Sequence, residues 1–282
     1  MSNKKVKFQE KEELAKFIIE NTPIGFLNES LKHLEVLVKK ETLNKDKVKQ
    51  AIKDYHETHF IPIYINEIKS EVIFSPKNKD NDDIYYDNGK KIRFKVDLNL
   101  NPQNIETYES KNETRIIIEK KLVEYLNYYY CMEEKRFNPN YNVYYDSLLD
   151  IIHIIISVQN INPQNYYNGE WLSCWELNLK DKKMKGSIVI NTIYFEEGKA
   201  QFNFNQNYND IVKGEDNEAI AKECIGIIEK YENEVQKKID DVTDNFTERC
   251  ISKLRRRESM TGKNMIWNYD QIHFIKIKNR DT

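Results

Sequence analysis

Apolar positions in the first sixty residues recur at helical spacing: Leu14, Phe17 and Ile18, then Leu27, Leu31, Leu34 and Val38. Thr22-Pro23-Ile24-Gly25 breaks the first run from the second, and Asn44 is placed to cap a third that passes through Val48, Ile52 and Tyr55. Three short helices with brief links predict a small bundle over residues 1–60, ended by Pro62. The period then shortens to two. Ile63, Ile65 and Val72-Ile73-Phe74 read as strands, Asn78 to Asp83 as a polar loop, and Asp87-Asn88-Gly89-Lys90 as a hairpin turn of type I′ leading into Ile92, Phe94 and Val96. These make a small β module over residues 61–113, with the Asn-rich stretch 99–113 expected as loop.

Helical spacing returns over 114–132. Five strands follow: Tyr141–Tyr145, Ile151–Val158, Trp171–Leu179, Lys185–Tyr194 and Ala200–Asn205. Turns are expected at Asn168-Gly169, Lys180–Lys183 and Glu197-Gly198, so the links are short and the strands form an antiparallel meander. One long helix is expected from about Asp216 to Arg257. Its stripe (Ile220, Cys224, Ile227, Tyr231, Val235, Ile239, Val242, Phe246, Cys250, Leu254) advances by three or four residues at each step. At 1.5 Å per residue such a helix is roughly 60 Å long and needs a long apolar surface, which the open face of the meander offers. The fold expected is α+β: an N-terminal helix bundle, a small β module, and a five-stranded antiparallel sheet crossed by one long C-terminal helix (the last two spanning 114–257). An amphipathic C-terminal tail over 258–282 completes it. A sheet with two bare edges also invites a second subunit.

Charge sharpens the picture of the C-terminus. The chain has 282 residues and a net charge of −2. Residues 249–282 hold nine Lys/Arg against three acids, a net of +6, which leaves −8 for the rest. After Thr261-Gly262 come Met265, Ile266, Trp267, Tyr269, Ile272, Phe274 and Ile275, and Met265, Tyr269, Ile272 and Lys276 share a helical face. A cationic run followed by a Trp-bearing amphipathic segment reads either as an anchor that is steered to an acidic partner and docks in an apolar groove, which the basic run favours, or as a tail folded back onto its own chain.

Other chemistry is sparse. Cys131, Cys174, Cys224 and Cys250 show no metal-ligand spacing, and no metal or cofactor is expected. His56 and His59 lie close, but no further ligand completes a set, and His153 sits in an apolar strand as a core residue. Asp80, Asp82 and Asp83 lack the later oxygen ligands of a calcium loop. Gly262-Lys263 has no glycine-rich loop before it, and no nucleophile–base pair is spaced for catalysis, so the chain is not expected to be an enzyme. Arg255-Arg256-Arg257 comes without a base-stacking module, and nucleic acid is not expected. Met1-Ser2-Asn3-Lys4-Lys5 has no apolar run behind it, and the stretch Ile151–Ile156 is too short to span a bilayer, so neither a signal peptide nor a transmembrane segment is expected.

Two segments carry a resemblance. Pro163-Gln164-Asn165-Tyr166-Tyr167-Asn168-Gly169-Glu170-Trp171-Leu172-Ser173-Cys174-Trp175 resembles the signature of the alpha subunit of the F-actin capping protein (the CapZ alpha family), typically an aromatic, Asn-Gly-Arg-Trp-Arg-Ser, then Trp. Leu254-Arg255-Arg256 through Thr261 to Trp267-Asn268 resembles that family's C-terminal actin-binding segment at the same Arg-to-Trp spacing. Phe26-Leu27-Asn28-Glu29, Phe60-Ile61-Pro62 and Tyr194-Phe195-Glu196-Glu197-Gly198 extend the likeness along the chain. Glu170 and Leu172 stand where the family usually carries arginines, Arg257-Glu258-Ser259 replaces Gln-Leu-Pro, and Gly262 stands where the family has an actin-binding arginine, with Lys263 beside it.

The resemblance implies calcium-independent capping of the barbed end of actin filaments in the cytoplasm and cytoskeleton. The residues it assigns to actin are Lys253, Arg255, Arg256, Lys263, Met265, Ile266, Trp267, Ile272 and Ile275. It places Asn168, Gly169, Glu170, Trp171, Leu172 and Trp175 at the sheet interface with a capping protein beta subunit or a second copy of the chain. It also implies that the tail arginines bind anionic phosphoinositides. The alternative is a phosphoinositide-binding or scaffold protein without capping activity.

Overall fold

The computed structural model describes residues 11–80, 83–130, 139–162, 164, 166–195 and 200–245. The N-terminal bundle is α1 (Lys11–Glu20), α2 (Leu27–Val38), the single turn α3 (Lys40–Leu43) and α4 (Asp46–Thr58). Ala15, Ile19, Leu27, Leu34, Val38, Val48, Ala51 and Tyr55 form its core. The expected stripe holds in α2 and at Val48 and Tyr55, but in α1 Ala15 and Ile19 are buried while Leu14 and Ile18 are only partly covered and Phe17 is exposed. The bundle has four helices, not three, because the chain re-enters a helical turn at Lys40 after Lys39 adopts φ 71°. Asn44 closes α3 instead of opening α4, whose N-cap is Lys45.

The small β module contains two sheets. β1 (Ile63–Ile65) pairs with β2 (Ser70–Val72), and β3 (Tyr85–Asp87), β4 (Ile92–Val96) and β5 (Pro102–Thr107) form a second, three-stranded sheet. Two expectations are corrected here. The β3–β4 link is a four-residue loop, Asp87 pairing with Ile92, and Lys91 takes the positive φ (55°) in place of Asn88-Gly89, so the turn is not type I′. The 99–113 stretch contains β5, an edge strand whose polar, mostly exposed side chains give no alternating apolar signal. Phe74, Tyr85, Ile92 and Phe94 fill the module's core. α4 reaches into it with two buried polar residues one turn apart: Lys53 Nζ donates to the Val96 carbonyl (2.8 Å), and Glu57 accepts from the Tyr85 hydroxyl.

α5 (Glu113–Tyr130) starts where the Asn112 side chain accepts from the Arg115 amide (2.9 Å), an N-cap. Then comes the meander: β6 (Asn140–Asp146), β7 (Ile151–Asn162), β8 (Tyr167–Asn178), β9 (Lys183–Tyr194) and β10 (Ala200–Ile211), in the spatial order β10-β9-β8-β7-β6, every pair antiparallel. The strands are longer than the sequence suggests. Asn168-Gly169, expected as a turn, lies inside β8 opposite Ile161-Asn160 and Ile193-Thr192. An Asn-Gly pair carries a turn signal that both neighbouring strands override.

α6 (Asn217–Asn245) opens with Asp216 accepting from the Ala219 amide (2.6 Å). The described residues up to Ile228 belong to one compact unit, and α6 from Glu229 onward to a second. Within the first, Cys224 Sγ lies 3.7 Å from Met184 Sδ of β9, so the opening turns of α6 cover one sheet face. On that face Trp175 lies directly over Gly186 of the neighbouring strand; a Cβ there would sit 2.1 Å from the indole. Tyr208 of β10 stacks on Trp175 at 6.0 Å, and the Trp175 Nε1–H donates to Ser173 Oγ (2.8 Å). Phe60 and Ile73 cover the opposite face at Ile155 and Leu172.

Gly186→Ala is therefore expected to cost about 1–3 kcal/mol in a denaturant titration, because neither indole nor strand can move aside freely. Gly226→Ala, in α6 with nothing within 4 Å of its new methyl, should raise stability by about 0.5–1 kcal/mol. Equal effects at the two glycines would refute this packing.

Candidate functional site: the central strand and the β10 edge

The signature segment is β8, the middle strand of the sheet, and its side chains alternate between two environments. Asn168, Glu170 and Leu172 face the bundle; Trp171 and Trp175 face the α6 side. The Glu170 side chain has no exposure, and its carboxylate is held by His59 Nδ1 (2.8 and 3.0 Å) and by Asn191 Nδ2 (2.7 Å). A carboxylate only accepts, so the proton of the His59 ring is on Nδ1. Gln159 Nε2 in turn donates to the His59 carbonyl (2.7 Å), fixing the end of α4 to β7. The Tyr55 and His59 rings lie 4.3 Å apart. Burial, with the charge of His59 beside it, pushes the His56 imidazole down to about 4, so that ring is neutral near pH 7. A cavity of about 170 Å³ opens beside this group, bounded by Thr22, Pro23, Ile193, Gln201 and Asn203 among others.

Of the six β8 residues expected at a subunit interface, Asn168, Glu170, Leu172 and Trp175 are enclosed by this chain alone and offer little surface to a second one. Gly169 and Trp171 are half-buried, and the Trp171 indole N–H is buried without a partner. The nine tail residues assigned to actin, Lys253, Arg255, Arg256, Lys263, Met265, Ile266, Trp267, Ile272 and Ile275, lie outside the described residues, as does the Glu197-Gly198 turn.

Three features escape a reading of the sequence. His59 belongs to a buried imidazole–carboxylate pair, not to a metal set. Asn191 supplies that pair's third member. β10 runs to Ile211, six residues past its expected end, and Phe202, Phe204, Gln206 and Tyr208 share one face while Gln201, Asn203, Asn205, Asn207 and Asn209 share the other. The second set is exposed: a row of neutral amides on the outermost strand. Phe-Asn-Phe-Asn alternation was the available signal. Among the described residues no three His, Cys, Asp or Glu gather as a metal site. Of the three acids considered for calcium, Asp80 accepts from the Ile84 amide and the Tyr86 hydroxyl, Asp83 pairs with Lys79 at 2.7 Å, and Asp82 lies outside the described residues. The buried thiols of Cys174 and Cys224 are pushed up to about 12 by desolvation and are not nucleophiles at neutral pH.

Strand order and layers define an α+β meander protein with a helical bundle and small β module on one sheet face and helix on the other. Residues 15–280 match the profile of the F-actin capping protein alpha subunit, and the chain belongs to that family. It is 26% identical over 278 residues to the F-actin-capping protein subunit alpha of Caenorhabditis elegans, covering 94% of this chain and 96% of that one. The Saccharomyces cerevisiae subunit is 27% identical, covering 91% of each chain. The solved homodimeric actin capping protein alpha subunit from Plasmodium berghei shares the fold, with TM-score 0.67 at 19% identity, over 86% of this chain and 95% of that one.

Removing one member of the buried pair strands the other. His59→Ala or Glu170→Ala should each cost about 3 kcal/mol by chemical denaturation, whereas the double change to apolar residues, His59→Leu with Glu170→Leu, should recover most of that loss. Additive single losses in the double variant would show that the two side chains are not coupled.

Proposed function

We propose that this chain caps the barbed end of actin filaments without calcium, as one subunit of a dimer, and that its C-terminal segment makes the actin contact. Membership of the capping protein alpha family over nearly the whole chain carries this reading. The sequence of the tail supports the division of labour. Lys253, Arg255, Arg256 and Lys263 form a cationic run that long-range attraction draws to an acidic filament end, and Met265, Ile266, Trp267, Ile272 and Ile275 supply apolar surface that slows release. The same arginines are suited to anionic phosphoinositide headgroups, which would then compete with actin. The cytoplasm and cytoskeleton are the compartment this activity requires.

The partner subunit meets the β10 edge on this reading. Edge strands that must stay alone usually carry lysine or proline, and β10 has neither between Gln201 and Ile211. Its amides can hydrogen-bond with an adjoining strand of either sign of charge. A capping protein beta subunit and a second copy of this chain both fit that edge. The Plasmodium berghei relative is described as homodimeric, which supports the second.

A barbed-end elongation assay tests the actin contact. Arg255→Ala with Arg256→Ala should slow association about tenfold at low salt and much less at high salt, whereas Trp267→Ala should mainly speed dissociation. A chain ending at Arg257 that caps as tightly as the full chain would remove the tail from the mechanism. Asn205→Pro, which takes one N–H from the outer edge or from the β9 ladder, should shift the solution mass toward the single chain.

A further inference from the structure

A second buried polar cluster lies away from β8, where the β3–β4 turn meets α5 and β6. Asp87 (3% exposed), Asn88 (5%), Arg115 (4%) and Asn142 (1%) are buried there, with Glu119 and Tyr141 half-buried beside them. Most of its donors are spoken for. Arg115 Nη1 donates to Glu119 Oε2 (2.6 Å), and the Lys90 amide donates to Asp87 Oδ1 (3.0 Å), with Lys90 Nζ 3.5 Å from Asp87 Oδ2. Asn88 Nδ2 donates to the Val143 carbonyl (3.0 Å) and Asn142 Nδ2 to the Tyr86 carbonyl (2.7 Å), so two side-chain amides stitch the turn to β6. What remains is unbalanced: Asn88 Oδ1 and Asn142 Oδ1, both acceptors, and a single donor, Arg115 Nε, are buried without partners.

The two carboxylates approach each other across Gly89. A Cβ built on that glycine would lie 2.8 Å from Glu119 Oε1 and 3.6 Å from Asp87 Oδ1. Two carboxylates this close repel each other when both are ionised, and Arg115 and Lys90 offset that repulsion only from one side of each. One proton on either carboxyl relieves that repulsion and adds an O–H donor beside the unpaired Arg115 Nε–H.

We propose that this junction is a proton-operated latch: with a proton on Asp87 or Glu119 the β3–β4 turn is held on α5 and β6, and with both ionised the turn is released. The electrostatics agree with the geometry. Desolvation holds the Asp87 carboxyl above the usual carboxylate range, against the pull of Lys90 and of the turn's own amides. Desolvation also raises Glu119, Arg115 opposes the rise, and the charge of Asp87 adds to it. From β6, the Tyr141 phenol is raised by burial and by both acids, and so it faces the pair as a neutral group. Groups raised in the folded state stabilise it fully below the ordinary carboxylate range. That contribution is lost as pH climbs through the raised values.

The test uses the full chain in the assembly in which it purifies, and it is independent of the capping reading. Amide exchange at residues 88–96, corrected for intrinsic rate, is followed from about pH 5 to about pH 8 beside the denaturation midpoint. The expected result is a turn that opens more readily as pH rises, by up to about tenfold per pH unit over the range in which the last shared proton leaves, and a flat profile for Asp87→Asn with Glu119→Gln. Should the double variant not fold, Glu119→Gln alone, which ends the repulsion and supplies an N–H donor, should lose most of the slope. An unchanged slope in either variant overturns the proposal. So does protection of the turn at about pH 8 by millimolar Mg²⁺ or Ca²⁺ as strong as that given by acid, since the junction would then be a cation site.

Discussion

One buried carboxylate organises this molecule. Glu170 sits at the centre of the sheet with no exposed side-chain surface, and an ion there is intolerable unless it is paired. The pairing group, His59, comes from the end of α4, and Asn191 from the adjoining strand. Wherever β8 goes, the last turn of the N-terminal bundle must follow. Phe60, the next residue, then falls onto Ile155 and Leu172. The imidazole–carboxylate contact thus selects the register in which an apolar contact can form, and the apolar contact excludes the water that would weaken the hydrogen bond. Neither would fix the bundle alone.

The other face of β8 obeys a steric rule. Trp175 lies flat across Gly186, so the largest side chain in the sheet meets the residue with none, and Tyr208 completes the stack from β10. A strand with an ion on one face and an indole on the other has no alternative register, because a shift of one residue would exchange the two. That constraint keeps a 12-residue strand aligned over its whole length.

Much of this was legible in the sequence, and the failures share a cause. The α2 stripe, the order of the meander strands and the start of α6 follow from periodicity, because apolar burial dictates them; in α1 the buried face is one residue further on, at Ala15 and Ile19. β5 and the second half of β10 did not follow, because edge strands can be built from Asn, Gln and Thr, whose side chains return to water. Asn168-Gly169 misled for the converse reason: its local preference for a turn is real, but the ladders to β7 and β9 outweigh it. At the site, Glu170 was visible as a departure from the family's arginine. Its partner His59 was not, since 111 positions separate the two and no local pattern links them.

The two edges of the sheet are treated in opposite ways, and the contrast bears on assembly. β6 is met by the β3 region, where Asn88 and Asn142 use side-chain amides to reach backbone carbonyls across the gap, Tyr86 stacks on Tyr144 at 5.2 Å, and Tyr144 on His153 at 6.1 Å. That edge is closed by the chain itself. At β10 there is no corresponding element among the described residues, and the strand displays amides without lysine or proline. If edge protection were needed there, the sequence could have supplied it as readily as it placed Pro102 at the start of the edge strand β5. An unguarded edge at one side of the sheet and a thoroughly covered one at the other is the asymmetry that supports the proposal of a second subunit at β10.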